Sequence, residues 1–113
     1  MDIKAAESLA AKIGKVRMEC PQITLDQFEL LLQLGINEPI ETVELAKTCE
    51  CTLSAVMRFI DLMNQIMGFR GIKGVTSEAS DELSWIKVEE GYRTQTLSLT
   101  RHGKFIMEEI LAS

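Results

Sequence analysis

The chain holds a single histidine, two prolines and three cysteines, and aromatic residues make up only 5% of it. Each scarcity removes a class of function. His102 stands at the start of a helical segment and reads as a solvated residue. No nucleophile–base arrangement or carboxylate pair accompanies it, so an enzyme is not expected. Cys20, Cys49 and Cys51 stand in no ligand spacing with that histidine, so neither a metal nor another cofactor is expected. Three thiols cannot all pair within one chain. They read as reduced thiols serving as small hydrophobes, with a redox switch at Cys20 as the sharper alternative. No apolar run approaches the ~20 residues of a membrane span. The N-terminus, Met-Asp-Ile-Lys-Ala-Ala-Glu-Ser, lacks the cationic and apolar regions of a secretory signal. A soluble, cytoplasmic protein with no membrane partner is expected.

Positive charge is short as well. The formal net charge is −5, which opposes bulk attraction to nucleic acid. Residues 1–68 hold 6 basic and 10 acidic side chains, and residues 69–113 hold 6 and 7. The acidic excess therefore lies mostly in the first part. Charge at a contacting face, rather than the total, sets affinity.

The remaining composition suits one domain over residues 1–113: 46% of the chain is apolar, enough for a compact core. The pattern is organised around Ile40–Met67. A short amphipathic segment, a break near Glu50 and a longer amphipathic segment from Thr52 place Leu45, Cys49, Cys51, Val56 and Phe59 at a spacing that lets two helices share a core. Before it, residues 1–20 contain a helix capped by Asp2 and ended by Pro21. Ile3, Ala6, Leu9, Ala10, Ile13 and Val16 make its apolar face. Ala6, Ala10 and Gly14 lie four apart and suit close approach of another helix, either within the domain core or across a dimer. Residues 24–67 form the helical core. Thr24 and Gln27 have capping-box spacing, and Leu25–Leu34 is the expected helix, with Leu25, Phe28, Leu31 and Leu32 buried and Gly35 as its stop. Residues 37–41 read as a loop or very short strand.

Thr42 is the expected cap of a helix over Val43–Cys49, with Val43, Leu45 and Ala46 facing inward. Glu50 occupies a turn position where glycine fits more easily. Thr52 caps the helix Leu53–Met67, whose inner face is Val56, Phe59, Ile60, Met63 and Met67. Thr52, Ser54, Arg58, Asp61, Asn64 and Gln65 remain for the outer face. Gly68–Ser80 has no helical stripe and reads as loop. Its glycines lack the strand-to-helix context of a phosphate site.

Two alternating runs then follow within residues 83–99, separated by Glu89-Glu90-Gly91-Tyr92, with Gly91 suited to a positive-φ turn. Pairing Val88 with Arg93 turns Ser84, Ile86, Val88, Gln95, Leu97 and Leu99 to one face and Trp85, Lys87, Thr94 and Thr96 to the other. Thr100 caps a last helix within residues 101–112, with Phe105, Ile106, Ile110 and Leu111 buried. The order predicts an α+β, mainly α fold: a winged helix-turn-helix over residues 42–67 and 83–99, with an N-terminal helical arm, a two-stranded wing hairpin and a short C-terminal helix.

Several short pieces resemble the MarR family of winged-helix regulators. They are Thr42-Val-Glu-Leu-Ala46, Ser54 with Arg58-Phe-Ile-Asp61, and Arg93 followed by Leu97-Ser-Leu-Thr100 and Gly103. They run in the family's order over roughly residues 24–105. The family's wing carries Asp-x-Arg at its tip; here Gly91 stands at the Asp position and Arg93 remains. The stretch between the expected recognition helix and the wing turn is also longer. With little chain after Leu111, helix 2–19 is expected to supply more of a dimer contact.

The resemblance implies a homodimer that binds double-stranded DNA and regulates transcription. The recognition helix would lie in the major groove and the wing near the minor groove. Arg58 is the candidate for a bidentate guanine contact, with a phosphate contact or an ion pair to Asp61 as alternatives. Thr52 and Ser54 suit a phosphate at the helix N-terminus, and Thr52 is also an ordinary cap. Lys87 and Arg93, with Tyr92 beside them, are the wing cations. Arg70 and Lys73 are further phosphate candidates, and Asn64 and Gln65 candidate adenine readers. Leu53 and Met57 are assigned to core packing, with thymine methyls as their target if exposed. Glu89 and Glu90 oppose phosphate at the same tip. They, the acidic total and the single recognition-helix arginine favour the alternative, a winged-helix module that binds a protein partner such as polymerase or another regulator.

Overall fold

A computed structural model describes residues 1–66 and 84–113. The expectations for Met67, for the loop Gly68–Ser80 with Arg70 and Lys73, and for Leu83 lie outside the described residues, as does the Gln65 side chain. The elements run α1 (Ile3–Glu19), α2 (Leu25–Asn37), β1 (Ile40–Glu41), α3 (Thr42–Thr48), α4 (Leu53–Ile66), β2 (Ile86–Glu90), β3 (Gln95–Leu99) and α5 (Arg101–Leu111). This is the mainly helical winged helix-turn-helix expected from the pattern. One addition is that Ile40–Glu41 pairs with β3, so the two-stranded wing becomes a three-stranded antiparallel sheet in the order β1-β3-β2.

The helix-turn-helix takes its shape from the end of α3. The Cys51 N–H donates to the Ala46 carbonyl at 2.9 Å and the Glu50 N–H to that of Lys47 at 3.2 Å. These two bonds are the Schellman pattern, which requires a left-handed residue just past the cap. Glu50 supplies it at φ 53°. Thr52 then starts α4, its Oγ1 accepting from the Ala55 N–H at 3.1 Å. Val56, Phe59, Ile60 and Met63 turn inward and are buried with Leu45 and Ala46 of α3. Cys49 and Cys51 pack against this core half-buried, and Cys20 is wholly buried.

The other caps follow the sequence closely. Asp2 accepts from Ala5 N–H at 3.1 Å. Thr24 and Gln27 close a reciprocal capping box, with bonds of 3.2 and 2.9 Å. Thr100 Oγ1 accepts from Gly103 N–H at 2.9 Å. Two ends differ. α2 runs through Gly35 to Asn37, because nothing forces a left-handed residue at Gly35. The helix ends instead at Glu38, which Pro39 holds out of the helical region at ψ 142°. α3 begins at Thr42 rather than after it: Glu41 is the cap position without a side-chain bond, and Thr42 is buried.

The hairpin also corrects the expected register. Val88 pairs with Leu97 and Glu90 with Gln95, four residues away from a Val88–Arg93 pairing. The slip is even, so the side-chain faces survive it: Ile86 and Leu97 are buried, Val88 and Leu99 half-buried, and Lys87 and Glu89 exposed. Trp85 departs from this alternation and is buried on the face that was to be open. The reason is α5. Its first turn lies against the Trp85 backbone so closely that a Cβ on Gly103 would stand 2.8 Å from the Trp85 carbonyl carbon. The Thr100 N–H donates to the Trp85 carbonyl at 3.0 Å, and the Thr100 hydroxyl donates to the Ser84 carbonyl. Glu38 braces the opposite corner, taking a 3.2 Å ion pair from Lys104 and a 3.4 Å hydrogen bond from Leu99 N–H.

Several residues expected inside are outside. Leu25 is 76% exposed, and Val43, Phe105 and Leu111 are also largely exposed. Leu25 and Val43 sit in first turns, which overhang the core. Phe105 and Leu111 flank the buried line Ile106, Met107, Ile110. On α1 only Val16 is buried, and Ile3 and Leu9 remain open.

Candidate nucleic-acid interface

The outward surface of α4 is exposed among the described residues. Thr52, Leu53, Ser54, Met57, Arg58, Asp61 and Asn64 are all exposed on it. At 1.5 Å per residue the helix is roughly 20 Å long, and a B-form major groove is about 12 Å wide, so the face can lie along base edges. Thr52 and Ser54 stand at its N-terminus, where unpaired backbone N–H groups and the helix dipole attract an anion. Arg58 lies one turn further on. Among the described residues it makes no ion pair, so the alternative pairing with Asp61 is not formed.

The wing carries the other two predicted cations in different settings. Arg93 lies in the four-residue loop Gly91–Thr94, closed by a 2.8 Å bond from Gly91 N–H to the Thr94 carbonyl. Arg93, not Gly91, takes the positive φ, at 63°. Its guanidinium stands over the Tyr92 ring, 5.0 Å from the centroid. Tyr92 thus faces the guanidinium where a carboxylate is missing. Lys87 is not at the tip. It pairs opposite Ser98 in the sheet, three residues before Glu90, roughly 10 Å down the strand. Its ammonium contacts Glu89 at 2.8 Å and holds that carboxyl below the usual range, chiefly through the hydrogen bond itself. Glu90 accepts from Gln95 Nε2 at 3.1 Å. Both wing glutamates are therefore already engaged.

Between α4 and the wing tip runs an open groove of about 420 Å³, lined by Val43, Leu53 and Met57 from the helices and by Glu90, Arg93 and Gln95 from the wing, with Glu41 also in its lining. The structure brings Arg93 to the edge of this groove; Thr52, Ser54, Arg58 and Lys87 do not line it. Its apolar wall was missed as a surface. Leu53 and Met57, assigned to the core, are 47% and 36% exposed. The signal was present in the helical period: Met57 lies about 160° and Leu53 about 120° round the helix from Phe59. Among the described residues no cluster of metal-ligating side chains occurs. No helix among them is long and apolar enough to cross a membrane. Burial raises all three thiols above their ordinary value, Cys49 and Cys51 also feeling the nearby carboxylate Glu29.

This arrangement, a capped outward helix beside a three-stranded wing, is a MarR-like winged helix. Solved structures agree at the level of fold. The chain resembles RV1404 from Mycobacterium tuberculosis, with a TM-score of 0.65 and 19% identity over 96% of this chain and 65% of that one. It resembles MarR with a TM-score of 0.59 and 19% identity over 99% of this chain and 74% of that one. The chain therefore spans just under two thirds of the length of RV1404. No family model matches the sequence, and no curated protein does.

Proposed function

We propose that the protein is a sequence-specific double-stranded DNA-binding transcriptional regulator that acts as a homodimer. α4 enters the major groove, and the wing tip reaches the adjacent minor groove. The observation that carries this reading is the exposed outer face of α4, with Thr52 and Ser54 at its N-terminus and, one turn on, Arg58, which makes no ion pair among the described residues. The fold, shared with MarR, is consistent with it. Thr52 and Ser54 hold a phosphate, Arg58 contacts guanine or a phosphate, and Arg93, presented over Tyr92, enters the narrow groove. Lys87, tied to Glu89, makes the weaker contribution.

The dimer half of the proposal rests on uncovered apolar surface. Ile3 and Leu9 of α1 are open. Leu9, Leu25 and Leu32 line one shallow groove, and Leu32, Ile36 and Leu111 line the next. Contiguous apolar surface of this kind marks an interaction site.

One observation favours a second reading, a module for a protein partner: the groove beside α4 has an apolar wall, and Glu41 and Glu90 stand on it beside Arg93. Retention of genomic fragments at low salt separates the two. A DNA-binding regulator retains duplex and releases it steeply as salt rises. A protein-binding module retains none.

A further inference from the structure

The exposed apolar residues of α4 have no task in the reading above. Met57 and Leu53 are 36% and 47% exposed, and with Val43 they form one wall of the groove beside the wing. Helix winding of about 100° per residue sets Met57 within about 40° of Asp61, near the middle of the outer face. Met57 is therefore not a fringe of the core, and Leu53, one turn before it, extends the same exposed strip toward the helix N-terminus. They are part of the surface that meets the bases if α4 lies in the major groove. The polar complement there is thin, since Arg58 is the sole cation among the described exposed residues of α4.

The major-groove base edges offer one apolar group, the C5-methyl of thymine. We infer that Met57 and Leu53 read thymine methyl groups, so that sequence preference depends on 5-methylpyrimidines as well as on a guanine under Arg58. The inference rests on the DNA-binding reading and deepens it. Met57 has an unbranched, polarisable thioether that adapts to a methyl at more than one position. Leu53, at the first turn, covers the step nearest the wing. Arg58 on the other side of the face and Arg93 across the groove hold the duplex while the apolar pair discriminates. Covering one methyl in this way is worth roughly a fourfold change in affinity.

The test uses the full chain and duplexes selected from a random-sequence pool at low salt. Each thymine of a selected duplex is replaced in turn by deoxyuridine, which removes only the methyl. The expected result is a loss of roughly fourfold at one or two positions in each half-site. Met57→Ala should bring the thymine and uracil duplexes to equal affinity at its position, and Met57→Leu should keep the difference. Arg58→Ala should weaken both duplexes alike and leave their ratio unchanged. All three α4 variants alter exposed side chains, and their melting curves check the fold. Equal binding of thymine and uracil duplexes at every position overturns the inference and leaves the DNA reading standing. Selection of no duplex overturns the DNA reading and the inference with it.

Discussion

At the scale of single residues, three positions carry the shape of the site. Gly103 opens α5, where alanine is ordinarily the better helix former by about 1 kcal/mol. Its Cβ would nevertheless overlap the Trp85 carbonyl backbone, which cannot yield as a side-chain tip can. Gly103→Ala is therefore expected to cost about 1–3 kcal/mol net, measured by urea denaturation, and to disturb the wing base. Glu50 has the opposite sign. It holds a left-handed φ of 53° in the turn of the motif, a conformation that costs a side-chain-bearing residue about 1–2 kcal/mol. Glycine removes that cost and gives back part of it as unfolded-chain entropy, so Glu50→Gly should raise stability by about 0.5–1 kcal/mol. The third is Tyr92. If its ring presents Arg93, Tyr92→Phe should keep duplex affinity. Tyr92→Leu should lose part of what Arg93→Ala loses, since the cation–ring attraction at an exposed site is about 0.5–1 kcal/mol.

At the scale of elements, the helix-turn-helix was legible because its information is local. The caps at Asp2, Thr24, Thr52 and Thr100 and the inward stripe Val56, Phe59, Ile60, Met63 are set by spacing along one segment. The hairpin register was not, because alternation constrains only its parity. A pairing of Val88 with Arg93 and the observed pairing with Leu97 predict the same faces, and the loop Gly91–Thr94 decides between them. Burial of Trp85 was illegible for a related reason: α5, distant in sequence, covers that side of the sheet. The same limit applies to the site. Periodicity marked Thr52, Ser54 and Arg58 as outward, but assigning Leu53 and Met57 to the core followed their chemistry rather than their phase. Lys87 looked close to the tip until the register placed it down the strand beside Glu89.

At the scale of the molecule, the thiols and the open apolar face make separate predictions. Cys20, Cys49 and Cys51 have folded pKa values raised above the ordinary 9.0, mainly by burial. In the unfolded chain they lose protons first, so their contribution to stability is complete below pH 9.0 and is lost as pH rises through the folded values. The urea midpoint should fall as pH rises above 9.0 on this account, and less so in Cys20→Ala. Raised thiols are also poor nucleophiles at neutral pH, which speaks against a redox switch at Cys20. For the proposed dimer, Leu9→Glu on α1 should shift the protein to monomer in sedimentation equilibrium at micromolar concentration. The central claim, that α4 and the wing grip DNA, is tested most directly by the slope of log affinity against log salt for wild type and Arg93→Ala on one duplex. The account predicts a steep negative slope for wild type, at roughly −0.9 per phosphate neutralised, made shallower by about one such unit in Arg93→Ala. A flat slope, or no duplex binding at low salt, would contradict it.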